Sequence, residues 1–150
     1  MTRVGCFARI LLSALLVAPA AVRAQDMLQG VDLSQPAYSQ AELTRADVEA
    51  ALKARKSGGK IDFSSRSLNG LDLSGLDLSG VDFHAARLNK TRLSGANLDD
   101  AILDQAWLMQ ADLTGATLKG AHAFATQMQK MRADGADFSK ARIAGDLTGA

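Results

Sequence analysis

This 150-residue chain has little of what small domains normally use to build a site or a core. Its single cysteine, Cys6, falls within the first 24 residues. The remainder therefore has no disulfide framework, no thiol nucleophile and no thiolate metal centre. Aromatics make up 5% of the residues, with Trp107 and Tyr38 the only ones of their kind. A conventional globular core would be short of large side chains. Neither charge sign dominates: the net charge is +1 and no block of like charge occurs. A strongly basic phosphate-binding surface and a strongly acidic polyanion mimic are both disfavoured on that ground. No apolar run reaches the roughly 20 residues that a membrane-spanning helix needs.

The ends of the chain carry their own signals. Arg3 and Arg9 precede a short apolar run from Ile10 to Ala18, and Val22-Arg23-Ala24 closes with a small-x-small pattern. Residues 1–24 are expected to be a secretory signal peptide cleaved before Gln25, which places the protein outside the cytoplasm, periplasmic or secreted. Losing Arg3, Arg9 and Arg23 takes the net charge from +1 to −2. Residues 25–42 are polar, contain Gly30 and Pro36, and read as an extended leader. Residues 43–57 read as a helix. Thr44 is a suitable N-cap with Asp47 three residues on, and Leu43 and Val48 can form the hydrophobic staple. Lys53, Arg55 and Lys56 suit the last turn, and Gly58-Gly59 stops it. So short a helix is marginal alone, so it is expected to pack as a cap on the segment after it.

That segment repeats every five residues. From Ile61 to Gly145 there are seventeen quintets in frame, among them LDLSG, ANLDD, ADLTG and ADFSK. The third place is Phe63, Leu68, Leu73, Leu78, Phe83, Leu88, Leu93, Leu98, Leu103, Leu108, Leu113 and Leu118 without a break. After Ala123 it resumes at Met128, and after Ala133 at Phe138 and Ile143. A period of five matches neither a helix nor a strand. It points to a solenoid, in which each unit buries its apolar group only against its neighbours.

These A(D/N)LxG-like quintets resemble the pentapeptide-repeat family over residues 61–145, with a shifted continuation in Gly145-Asp146-Leu147. The resemblance implies an all-β solenoid over residues 61–150: a right-handed quadrilateral β-helix of about four coils, each quintet one side. With the third place inward, its Leu and Phe residues, Phe138 included, form the core, and each burial is worth roughly 1.5–3 kcal/mol. The first place must be small, as at Ala86, Ala96, Ala101, Ala106, Ala111, Ala116 and Ala121. Glycines such as Gly75, Gly95 and Gly115 take the fifth place, where corners need unusual backbone angles. Second-place Asp or Asn is expected to cap corner amides.

Departures from the pattern locate the rest. Ile61, Leu71, Leu76 and Val81 are large first-place groups, expected against the capping helix, while Arg66 at an inward place is expected to turn outward toward the leader. The pattern weakens over 121–133, and the sequence leaves open whether a register slip there puts Phe124 inside in place of Ala123. Ile102, Trp107 and Met109 are apolar at outward places and, with Arg87, form the candidate partner surface. His84 and His122 lie two coils apart and the aspartates fall on different sides, so neither a catalytic nor a metal or cofactor site is expected. The expected function is a non-catalytic exported structural or interaction module with an unidentified protein partner, bound through its sides or its open C-terminal end. A homodimer through the C-terminal coil is a further expectation. Nucleic acid, and membrane after signal cleavage, are not expected partners. Two alternatives remain: a DNA-mimicking topoisomerase-binding protein, disfavoured by export and near-neutral charge, and an accessory subunit of an exported enzyme.

Overall fold

The computed structural model describes residues 40–55 and 59–150, all within one compact unit. The expected signal peptide and most of the leader lie outside the described residues.

From Ile61 onward the backbone winds as a quadrilateral β-helix with one quintet per side and twenty residues per coil. Parallel bridges join Asp62 to Asp82, Asp82 to Ile102 and Ile102 to His122, and the same step of twenty recurs on the other three sides. Each third-place N–H donates to the second-place carbonyl of the next coil, as Phe63 does to Asp82 at 2.8 Å. Each second-place N–H donates back to the first-place carbonyl of the preceding coil, as Asp82 does to Ile61 at 2.9 Å. Corners close by a third hydrogen bond, such as Ala86 N to Phe83 O at 2.9 Å. Every fifth place from Ser65 to Lys140 has positive φ, between 52° and 69°. Glycine accepts this at no steric cost, whereas Ala85, Lys90 or Gln105 bears a penalty that the stacked coils must outweigh.

Because the places repeat, so does burial. Leu68, Leu73, Leu78, Phe83, Leu88, Leu93 and Leu98 are wholly buried, as are Ala86, Ala101, Ala106 and Ala116 at first places. Phe63 and Phe83 stack within one inward column, ring centroids 5.9 Å apart. Thr91 and Thr126 also occupy first places, and their buried hydroxyls donate to Leu68 O and Leu103 O at 2.8 and 2.9 Å. Phe138, expected in the core, is only half-buried, because no later coil of this chain covers it.

The entrance is closed by helix α1 (Arg45–Ala54), shorter at both ends than the 43–57 span expected. Thr44 and Asp47 form a complete capping box. Arg55 leaves the helix in an extended conformation, so the helix stops before Gly58-Gly59. Val48 is wholly buried and packs with Leu43, Leu52, Leu71 and Leu76 over the first coil. The first coil has no predecessor to donate to its carbonyls, and the cap supplies the donors. Glu42 N bonds Ser67 O at 2.8 Å, Arg45 bonds Asp72 O at 2.8 Å and Ser74 O at 3.3 Å, and Arg55 bonds Ser79 O at 2.7 Å. Arg66 turns outward and meets Glu42 at 3.7 Å.

Through 121–133 the inward column keeps its frame. Ala123 stays inside, 4% exposed, while Phe124 points out, 46% exposed. The frame changes one coil later, where strands β1 (His122–Gln127) and β2 (Arg142–Asp146) pair: Phe124 faces Ala144, but Thr126 faces Gly145. Ala125 is left without an opposite residue, and Gly145 takes a first place. A side chain there would collide with the Thr126 carbonyl oxygen, so glycine is required. Asp146, Leu147, Thr148 and Gly149 then resume the quintet order one residue early.

Leu98→Ala leaves a cavity between two stacked coils that cannot collapse onto it. Its unfolding free energy, measured by urea titration, is expected to fall by about 2–5 kcal/mol. An unchanged midpoint would contradict the buried column.

Candidate interaction surface

Three of the four sides use one device to build their corners. On the side of Asp72, Arg92, Asp112 and Arg132, the Asp112 carboxylate accepts the N–H and the hydroxyl of Thr114 at 3.0 and 2.6 Å. Asp72 does the same for Ser74, Asp137 for Ser139 and Asp62 for the N–H of Ser64. The second-place carboxylate is thus committed to capping the fourth-place amide of its own quintet. These hydrogen bonds, hydroxyl first and amide second, hold Asp62, Asp72, Asp77, Asp112 and Asp137 below the usual carboxylate range. The alternating charges stacked along this side pair only in part: Arg92 meets Asp72 at 3.3 Å, but Arg132 meets Asp134 at 3.8 Å.

The Trp107 side is built differently. Its second places are Ser67, Arg87, Trp107 and Gln127, stacked by bridges at successive steps of twenty. None of these four is a carboxylate; Asp146, paired with Gln127, follows them in the last coil. The fourth-place amides are capped instead from the coil before: Asn69 Oδ1 accepts Asn89 N at 2.9 Å, and Asn89 Oδ1 accepts Met109 N at 3.1 Å. Asp99 and Asp104 do the same for Lys119 and Phe124 elsewhere, at 2.9 and 2.8 Å. Wherever a fourth-place Asn or Asp takes over the turn, the second place above it is released to carry another side chain. Arg87, Trp107, Thr117 and His122 are the released positions. This device was missed in the sequence; its signal was fourth-place Asn69, Asn89, Asp99 and Asp104, each twenty residues before a quintet lacking second-place Asp or Asn.

Arg87, Trp107 and Gln127 line an open groove of about 560 Å³ along the corner formed by Ser65, Ala85 and Gln105. The four candidate residues fall on two adjacent sides, as their places in the repeat imply. Arg87, Trp107 and Met109 share a side; Ile102 lies on the adjacent side, beyond the Gln105 corner. Ile102, Trp107 and Met109 are half-buried, not fully exposed, because neighbouring coils flank them at strand spacing. The exposed large apolar groups are instead Phe124, Ile143 and Leu147, at 46%, 36% and 46%. Phe124 stands on the Ile102 side, with the His122 ring against it edge-on at 6.4 Å. Among the described residues no group of three His, Cys, Asp or Glu side chains could hold a metal ion.

A sequence model of pentapeptide repeats matches this chain in eight copies, over residues 60–95, 77–115 and 91–126. The chain belongs to the pentapeptide-repeat family. Its fold is accordingly the right-handed quadrilateral β-helix. Among solved structures, a pentapeptide-repeat protein from the thylakoid lumen of Arabidopsis thaliana is 26% identical. That match covers 63% of this chain and 79% of the other, with a TM-score of 0.50. A pentapeptide-repeat protein from Nostoc PCC 7120 is 30% identical over 70% of this chain and 79% of that one, with a TM-score of 0.48. No curated protein matches the chain.

The lowered aspartate pKa values set a pH dependence. Each carboxylate is more acidic folded than unfolded, so its contribution is complete above about pH 4 and is lost as the pH falls through the folded value. The melting temperature is expected to hold from pH 7 to about 5 and to drop below about 4. Asp112→Asn, which keeps an acceptor for the Thr114 amide as Asn97 does for Asp99 N at 3.0 Å, should melt with a shallower acid dependence. Identical acid profiles for the two proteins would show that Asp112 does not contribute.

Proposed function

We propose that this protein is an exported, non-catalytic interaction module that holds a protein partner against the Trp107 side of its β-helix. The observation that carries this is the release of second places from turn-building on that side. In its first four coils this side keeps no second-place Asp or Asn, whereas the other sides keep Asp62 and Asp82, Asp72 and Asp112, and Asp77, Asn97 and Asp137. Arg87 and Trp107 instead line a groove, with Met109 on the same side and Ile102 and Phe124 around the corner. Large, half-buried aromatic and guanidinium groups on a rigid frame are the residue types that dominate interface energetics. Export is supported by the pattern of residues 1–24, and the Arabidopsis relative is from the thylakoid lumen. The DNA-mimic alternative is disfavoured by the export pattern of residues 1–24 and by the near-neutral net charge.

Crosslinking in the native compartment, followed by partner identification, tests the proposal. Trp107→Ala is expected to lose most of the captured partner while keeping the wild-type melting temperature to within a few degrees, and Ile102→Glu to weaken capture less. Full capture by both variants would overturn the assignment of this surface.

A homodimer through the last coil belongs to the same proposal, supported by the exposed Ile143 and Leu147. Leu147→Glu should shift the sedimentation coefficient from dimer to monomer. A wild-type protein that sediments as a monomer at high concentration would remove the dimer.

A further inference from the structure

The Trp107 side differs from the other three in charge as well as in turn chemistry. Its four quintets, RSLNG, ARLNK, AWLMQ and TQMQK, contain Arg66, Arg87, Lys90 and Lys130 and no acidic residue. The other sides each carry at least three aspartates in the same coils: Asp62, Asp82 and Asp104; Asp72, Asp112 and Asp134; Asp77, Asp99, Asp100 and Asp137. A chain that is near neutral overall is therefore strongly polarised around its axis.

Two carboxylates already sit on this side: Asp146, at the far end, stacks over Gln127 and accepts from Gln129 Nε2 at 2.9 Å, and Glu42 lies at the entrance. Glu42, in the extended segment before α1, meets Arg87 at 3.3 Å and Arg66 at 3.7 Å. Its N–H donates to Ser67 O at 2.8 Å, and Ser67 Oγ donates to Gln40 O at 2.6 Å. The chain's own extended acidic segment thus occupies the entrance end of the basic side, with backbone and carboxylate both engaged. Farther along, that side carries Trp107, Lys90 and Lys130. The side is also where internal polar pairing is least complete: Arg87 Nε, Asn89 Nδ2, Gln127 Oε1 and Gln129 Oε1 are the buried side-chain atoms without a hydrogen-bond partner among the described residues.

We infer that the Trp107 side binds an extended acidic peptide segment of a partner, lying along the coil axis, with carboxylates on Arg87, Lys90 and Lys130 and an apolar side chain on Trp107. This rests on the proposal that the Trp107 side is the partner surface, and it specifies the partner's chemistry. The inferred ligand continues, coil by coil, what Glu42 begins. Glu42 then acts as an internal competitor for Arg87.

The test uses the purified protein and a fluorescein-labelled decapeptide of alternating Glu and Leu, read by anisotropy. Trp107 is the only tryptophan, so its emission reports whether the peptide reaches this side. Saturable binding with a shift in Trp107 emission is expected, weakening steeply with added salt. Lys90→Gln/Lys130→Gln should weaken it about 10-fold, corresponding to two exposed ion pairs at the upper end of their usual strength. The folding risk is small, since Gln105 and Gln110 already adopt the same corner conformation. Glu42→Gln should tighten binding by up to about 5-fold. Equal binding of a Gln-for-Glu peptide, or no effect of the double lysine variant, overturns the acidic-peptide inference. Tighter binding of a DNA duplex of equal charge also overturns it, in favour of nucleic acid. If Trp107→Ala still abolishes native partner capture in any of these cases, the surface assignment survives and only the partner chemistry is wrong.

Discussion

The constraint on which everything else depends is the exact step of twenty residues between stacked coils. Asp62, Asp82, Ile102 and His122 are neighbours because each lies one turn above the last, and their backbones bond only if the step is kept. The same step places Leu78 over Leu98 and Leu98 over Leu118, so that one narrow interior is filled by a single type of side chain. Neither part stands without the other. A quintet that kept its leucine but lost the step would leave both its ladder amides and its apolar group without partners, and unsatisfied backbone groups are costly when buried. The ends obey the same logic. Arg45 and Arg55 serve first-coil carbonyls that no earlier coil meets among the described residues, as Glu42 N serves Ser67 O.

Within that step, the corner is where sequence freedom is decided. A fourth-place N–H at a corner needs an acceptor. Second-place Asp supplies one locally, at the cost of fixing that side chain against its own turn. Fourth-place Asn or Asp supplies one across the coils and leaves the second place free. Asn69 and Asn89 do this in series, which is why Arg87 and Trp107 can stand where aspartate is the rule. Surface chemistry is thus gained on this fold by moving a hydrogen bond, with no change in backbone path.

The period alone made the inward column, the small first places and the glycine corners legible, since all three follow from a residue's place within five. The capping box at Thr44 and Asp47 was legible for the same reason: it is local. What was not legible depends on the third dimension. Whether Ala123 or Phe124 lies inside is not decided by the quintet AHAFA; Ala123 does, because it fits the narrow interior and the ladder holds the frame fixed. The real frame change waits for Gly145, where the Thr126 carbonyl leaves room for no side chain at all. That Ile102 and Trp107 fall on adjacent sides was legible, since they are five apart. Five residues is one corner, and a corner separates sides.

That separation explains how a regular rod acquires a distinct binding side. Residues adjacent in sequence are spread around the axis, while residues twenty apart form columns with strand spacing between members. A change confined to every fourth quintet therefore alters one side and leaves the other three intact. The quintets RSLNG, ARLNK, AWLMQ and TQMQK are such a set: they lose the aspartates, gain four cations and carry the tryptophan. Scattered through the sequence, these departures look like decay of the repeat. Stacked at one step of twenty, they are a continuous strip whose composition differs from every other strip on the protein, and an extended partner segment parallel to the axis would meet all of it at once.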